Sequence, residues 1–87
     1  MVDLLVADDH GIVRSGLRML LERQPGMKVV AEAADGVEAV ELALRERPRV
    51  AILDVSMPRM TGIQAAREIK AQAPAVQVVL LLSLIHI

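Results

Sequence analysis

The 87-residue chain carries 10 basic and 11 acidic residues, a formal net charge of −1, no cysteine and no Phe, Tyr or Trp. One domain is the most that such a length holds; the near-neutral balance offers no basic field for nucleic acid, and the lack of aromatic rings excludes base-stacking platforms. Without cysteine there is no disulfide framework, which favours a reducing, cytoplasmic setting, and the core must be built from Val, Leu, Ile, Ala and Met.

Residues 2–7 form a short apolar run that ends at Asp8-Asp9-His10-Gly11, the pattern of a buried parallel strand feeding a loop. No basic segment precedes it, so a signal peptide is not expected. From Ile12 the period changes. Ile12, Val13, Gly16, Leu17, Leu20 and Leu21 share one helical face, Arg14, Arg18 and Glu22 lie on others, and Pro25-Gly26 closes the helix. Residues 27–33 read as a second strand. Asp35 followed by Glu38 has capping-box spacing and predicts a helix with Val37, Val40, Ala43 and Leu44 inward, stopped at Arg47-Pro48. Residues 50–53 form a third apolar strand ending on Asp54. Thr61 and Gln64 repeat the capping spacing and open a third helix to about Gln72, and Pro74 breaks it. Residues 76–82 are a fourth strand. The apolar run at its end, from Val78 to Leu82, is far below the roughly 20 residues that a membrane helix needs.

Strand and helix alternate throughout, which predicts an α/β fold: a doubly wound parallel sheet with helices on both faces. In such sheets ligands bind beyond the carboxyl ends of the strands, where the strand order reverses. The first strand ends in Asp8-Asp9 and the third in Asp54. In the flavodoxin-like order 2-1-3-4-5 those strands are neighbours, about 4.8 Å apart, so three carboxylates crowd one pocket. Charges that close need compensation, and an all-oxygen donor set without a thiol suits Mg²⁺. An Asp beside such a cation is a workable nucleophile toward a phosphoryl group. Taken singly, Asp9 reads as a helix cap and Asp54 as a turn residue; together, at two adjacent strand ends, they read as a site. His10 is expected to be a solvated loop residue, Met57 and Met60 packing residues, and Arg14 and Arg18 a solvated helix face.

The run Ala7-Asp8-Asp9-His10, followed by Asp54-Val55-Ser56-Met57-Pro58-Arg59-Met60-Thr61-Gly62, resembles the receiver domain of two-component response regulators. The stretch from Asp8 to Leu17, Leu20-Leu21-Glu22 and Ala34-Asp35-Gly36-Val37-Glu38-Ala39 look like the subfamily with a LuxR-type helix-turn-helix output domain. The resemblance implies that Asp54 is the phosphoacceptor, Asp9 a direct Mg²⁺ ligand and Asp8 an acid acting mostly through water. Ser56 matches the position whose backbone carbonyl completes the metal site, and Pro58 and Gly62 match loop positions that shape the turn. It further implies a sensor histidine kinase as donor, DNA binding only through an output domain outside this sequence, dimerisation on phosphorylation, and no membrane association.

Two departures stand out. The family places a Ser or Thr at the end of the fourth strand, and spacing from Asp54 puts that residue at Leu82, with Ser83 one place late. It also uses a Lys at the end of a fifth strand, and neither Lys28 nor Lys70 matches. Residues 1–81 are therefore expected to be a partial receiver lacking its fifth strand and last helices, and residues 82–87 a non-native tail. Two other readings compete: an Asp-nucleophile phosphatase of the haloacid-dehalogenase kind, whose spacing is Asp-x-Asp rather than the adjacent pair found here, and a degenerate receiver used only for binding. Neither Gly-x-Gly-x-x-Gly nor the Walker A spacing follows the first strand.

Overall fold

In the computed structural model, which describes residues 1–82, the sheet is parallel and ordered β2-β1-β3-β4. Its strands are β1 (Val2–Ala7), β2 (Met27–Ala33), β3 (Val50–Asp54) and β4 (Gln77–Leu81). Helices α1 (Gly11–Glu22), α2 (Gly36–Glu46) and α3 (Gly62–Gln72) connect them in turn. The fourth strand is thus shorter at both ends than expected, and Leu82 lies just beyond it, exposed. Ser83 and the rest of the expected tail fall outside the described residues.

Side-chain alternation along β1 divides the interior in two. Leu5 and Ala7 point to the face covered by α2 and α3, where they meet Ala51 and Leu53 of β3, Ala39 and Ala43 of α2 and Ala65 and Ile69 of α3. Leu4 and Val6 point to the other face, where Val29 is buried with them and Leu17 and Leu21 of α1 pack from outside. The helices therefore flank both faces, as doubly wound topology requires.

A bulge in β2 changes which of its residues serve which face. Leu4 pairs with Val29, but Leu5 pairs with Ala31, so Val30 is left over. An extra residue reverses the alternation beyond it. Val29 accordingly joins the α1 face, while Ala31 and Ala33 join the α2–α3 face.

Both capping sites form, with one difference in detail. Asp35 accepts from the Glu38 amide at 2.8 Å, and Glu38 reaches back to the Ala34 amide at 2.9 Å rather than to Asp35 itself. At α3 the box is reciprocal: Gln64 donates its amide to Thr61 Oγ1 at 3.2 Å, and Thr61 donates its amide to Gln64 Oε1 at 3.0 Å. Helix α2 ends on Arg47 at φ 48°, immediately before the buried Pro48. Its buried face is Gly36, Ala39, Val40 and Ala43. Val37 and Leu44 are only partly buried, because the tight contact with the sheet runs through the small residues.

The α1 face departs most from expectation. The helix buries none of its residues, and Ile12, assigned to the inward face, is 89% exposed. Leu20 and Met19 are 59% and 63% exposed. Only Leu17 and Leu21 touch the sheet's small cluster.

Candidate functional site

Parallel pairing of β1 with β3 sets Ala7 opposite Leu53, so the residues that follow, Asp8 and Asp54, emerge side by side at the carboxyl end of the sheet. Both are 2% exposed and are the buried charged residues among the described chain. The Asp8 amide donates to the Ala33 carbonyl at 3.0 Å, extending the β1–β2 ladder one residue and fixing the loop as it leaves the strand. Asp54 pairs with Leu81 of β4.

Ligand atoms from Asp8, Asp9, His10 and Asp54 all lie within 4.8 Å of one another. The structure thus brings together three of the four expected ligand residues and adds a fourth side chain, since His10 is not a solvated loop residue. Asp8 Oδ1 accepts the His10 main-chain amide at 2.8 Å and lies 3.1 Å from His10 Nδ1, which is also 3.2 Å from Asp9 Oδ1. The signal was legible in principle: His10 stands next to the acidic pair. Ser56 is exposed two residues beyond Asp54.

The loop between β3 and α3 is held on every side. Val55 donates its amide to Leu81 O and accepts from the Gly62 amide, both at 2.9 Å. Gly62 passes so close to the strand end that a Cβ there would strike the Asp54 carbonyl. Gly36 has the same constraint against the Met60 carbonyl, which locks the start of α2 to the loop. Met57 is buried and Met60 packs on the core, as expected. Arg59, at φ 65°, reaches Asp35 with Nε 3.1 Å from Oδ2. The Glu38 amide first, and the Arg59 guanidinium after it, hold the Asp35 carboxyl below its ordinary value.

Arg14 and Arg18 are not a purely solvated face. Arg14 donates through Nη1 to the Asp8 carbonyl at 2.7 Å and through Nε to Glu32 at 3.1 Å. Arg18 donates to the other Glu32 oxygen at 2.6 Å and to Glu22 at 3.3 Å. Glu32, on β2, therefore anchors α1 and, through Arg14, the backbone that carries Asp8. Sequence periodicity alone does not pair residues 14 and 32.

Residues 4–84 match the family model described as the response regulator receiver domain. The chain belongs to this family. It is 48% identical over 71 residues to protein-glutamate methylesterase/protein-glutamine glutaminase 5 of Geobacter metallireducens, covering 82% of this chain and 20% of that protein. To the oxygen regulatory protein NreC of Staphylococcus epidermidis it is 46% identical over 79 residues, 90% of this chain and 36% of that one. Among solved structures, a LuxR-family two-component response regulator from an Aurantimonas species superposes with a TM-score of 0.88 at 40% identity, covering 92% of this chain and 57% of the other. The chain thus spans about one fifth to two fifths of the length of the curated relatives it matches, and it is the receiver part that they share. The flavodoxin-like sheet order expected from sequence is the one found, and the general function of this family is to accept a phosphoryl group on an aspartate. No helix of the described residues is long and apolar enough to cross a membrane.

Proposed function

We propose that Asp54 is the phosphoacceptor of this receiver domain and that Asp8, Asp9, Asp54 and the main-chain carbonyl of Ser56 hold Mg²⁺ beside it. The observation that carries this reading is the convergence of three carboxylates within 4.8 Å at the carboxyl ends of adjacent parallel strands. The donor set fits the ion: carboxylate oxygens without a thiol suit a hard cation that keeps several waters. Bound there, the cation would neutralise charge on the transferring phosphoryl oxygens. The chain's own residues do the rest. The Asp54 carboxylate attacks the phosphorus of a phosphohistidine, the P–N bond breaks, and the imidazole leaves as the acyl phosphate forms. The β1–β2 ladder and Arg14 hold the backbone of Asp8 in place, and the Val55 and Gly62 contacts hold the loop that follows Asp54.

The donor in this reading is a sensor histidine kinase in the cytoplasm. The phosphorylated receiver dimerises and controls a LuxR-type DNA-binding domain elsewhere in the full protein; the stretch from Asp8 to Leu17 with Leu20-Leu21-Glu22 supports that output. Incubating the chain with acetyl phosphate and Mg²⁺ should add the mass of one phosphoryl group, and Asp54→Asn should abolish the gain. Equal labelling of both proteins would overturn the assignment.

A further inference from the structure

At the amino ends of the strands, opposite the acidic end of the sheet, the chain forms a cavity of about 300 Å³. We infer that this cavity binds a free α-amino acid with an apolar side chain. Its floor is Pro48, Ala73 and Val76, all of them buried. Its rim carries Asp3, Arg47 and Arg49, all exposed. An apolar floor under a few charged groups is the arrangement that seats and orients a small ligand.

The sheet places the charges. Pairing of Leu4 with Val50 sets Asp3 across from Arg49, and the Arg49 amide donates to the Asp3 carbonyl at 2.9 Å. Alternation gives Asp3 the face of Leu5 and Arg49 the face of Ala51, the side covered by α2 and α3. Opposite charges so placed ordinarily meet. Among the described residues, however, neither an ion pair nor a hydrogen bond engages the Asp3 carboxylate or the Arg49 guanidinium. Both line the cavity instead. A zwitterion carries the complement of each. The guanidinium fork takes a carboxylate through two parallel N–H bonds, so Arg49 anchors the ligand's carboxylate and Asp3 its ammonium.

The walls are braced without a ligand. Arg47, left-handed at φ 48°, donates through Nε to the Leu44 carbonyl at 3.0 Å and reaches the Gln72 carbonyl with Nη1 at 3.5 Å. It thereby ties the carboxyl ends of α2 and α3 together beside the cavity. The turn that forms the floor is held as well. Lys70 Nζ donates to the carbonyls of Pro74 and Val76 at 2.9 and 3.0 Å, and the Val76 amide donates to the Ala73 carbonyl at 3.0 Å. Leucine or methionine sets its side chain against that floor, whereas glutamate or lysine would press a charge onto it.

The test titrates the whole ¹⁵N-labelled 87-residue chain with L-leucine and follows its amide shifts. Saturable shifts are expected at Asp3, Arg49, Ala73 and Gln77, and none at Asp8, Asp9 or Asp54. Isocaproate lacks leucine's ammonium and isoamylamine lacks its carboxylate. These two and L-glutamate should each bind at least about tenfold more weakly than leucine. Arg49→Gln should weaken leucine at least about tenfold, and Asp3→Asn should erase the preference for leucine over isocaproate. Equal binding of leucine and isocaproate to the unmodified chain would overturn the role of Asp3 and with it the amino-acid assignment. Absence of saturable shifts around the cavity, or shifts confined to the acidic end of the sheet, would overturn the site itself. The ligand series on the unmodified chain needs no variant to fold. Phosphoryl acceptance at Asp54 is read separately by acetyl phosphate labelling, and neither failure touches it.

Discussion

The two faces of the sheet are built from the same kinds of residue and end in different states. On one side, α2 and α3 press Ala39, Ala43, Ala65 and Ile69 into β1 and β3, and all four are fully buried. On the other, α1 has an equally apolar stripe, but only Leu17 and Leu21 reach the small cluster of Leu4, Val6 and Val29. An amphipathic pattern supplies a face able to be buried; a neighbour must be present to bury it. The α2–α3 side has two helices that also pack on each other. The α1 side has a single helix, fastened largely by ions, with Arg14 and Arg18 gripping Glu32.

That contrast yields a series of tests. Ile69→Ala should remove about 2–5 kcal/mol, a large share of the roughly 5–15 kcal/mol a native domain possesses. Leu20→Ala, the same truncation on α1, should change stability by less than about 0.5 kcal/mol in urea denaturation. Equal losses would break the comparison and mean that the outer side of α1 is covered.

Gly36→Ala should cost about 1–3 kcal/mol, because its Cβ would collide with the Met60 carbonyl of the phosphoacceptor loop and neither backbone yields easily. Gly16→Ala in α1, where nothing lies within 4 Å of the added atom, should instead be neutral or mildly stabilising. Glu32→Gln should cost less, about 1 kcal/mol for a partly exposed pair of ion bonds. Its clearer readout is faster amide hydrogen exchange across α1 with α2 and α3 unchanged. Uniform acceleration would show that the ionic clasp does not act on α1 in particular.

The smallest effect is a pH dependence at the start of α2. Folding depresses the Asp35 carboxyl below its ordinary value of 3.8, so its contribution is complete above that value. The contribution fades as pH falls through the depressed folded value. The Tm difference between the unmodified chain and Asp35→Asn should therefore be constant near neutrality and shrink only below about pH 4. A difference that grows with acid would reverse the sign and the assignment.

The order of elements, both capping sites, the breaks at Pro48 and Pro74, and the three carboxylates at strand ends were all legible in the sequence. Each depends on neighbours along the chain: side-chain period, a cap three residues from its partner, a proline that forbids the next helical residue. Packing of Met57 and Met60 was expected because methionine is a flexible apolar side chain that fills irregular gaps in cores.

What tertiary structure decided depends on residues far apart in sequence. The bulge at Val30 sends Val29 and Ala31 to opposite faces although simple alternation puts them on one. Glu32 captures Arg14 and Arg18 only because α1 crosses over β2. His10 meets both acids because the Asp8 side chain folds its amide inward. Sequence fixes local geometry through short-range sterics and hydrogen bonds, whereas burial and ion pairing follow from which surfaces the assembled sheet brings within a few ångströms.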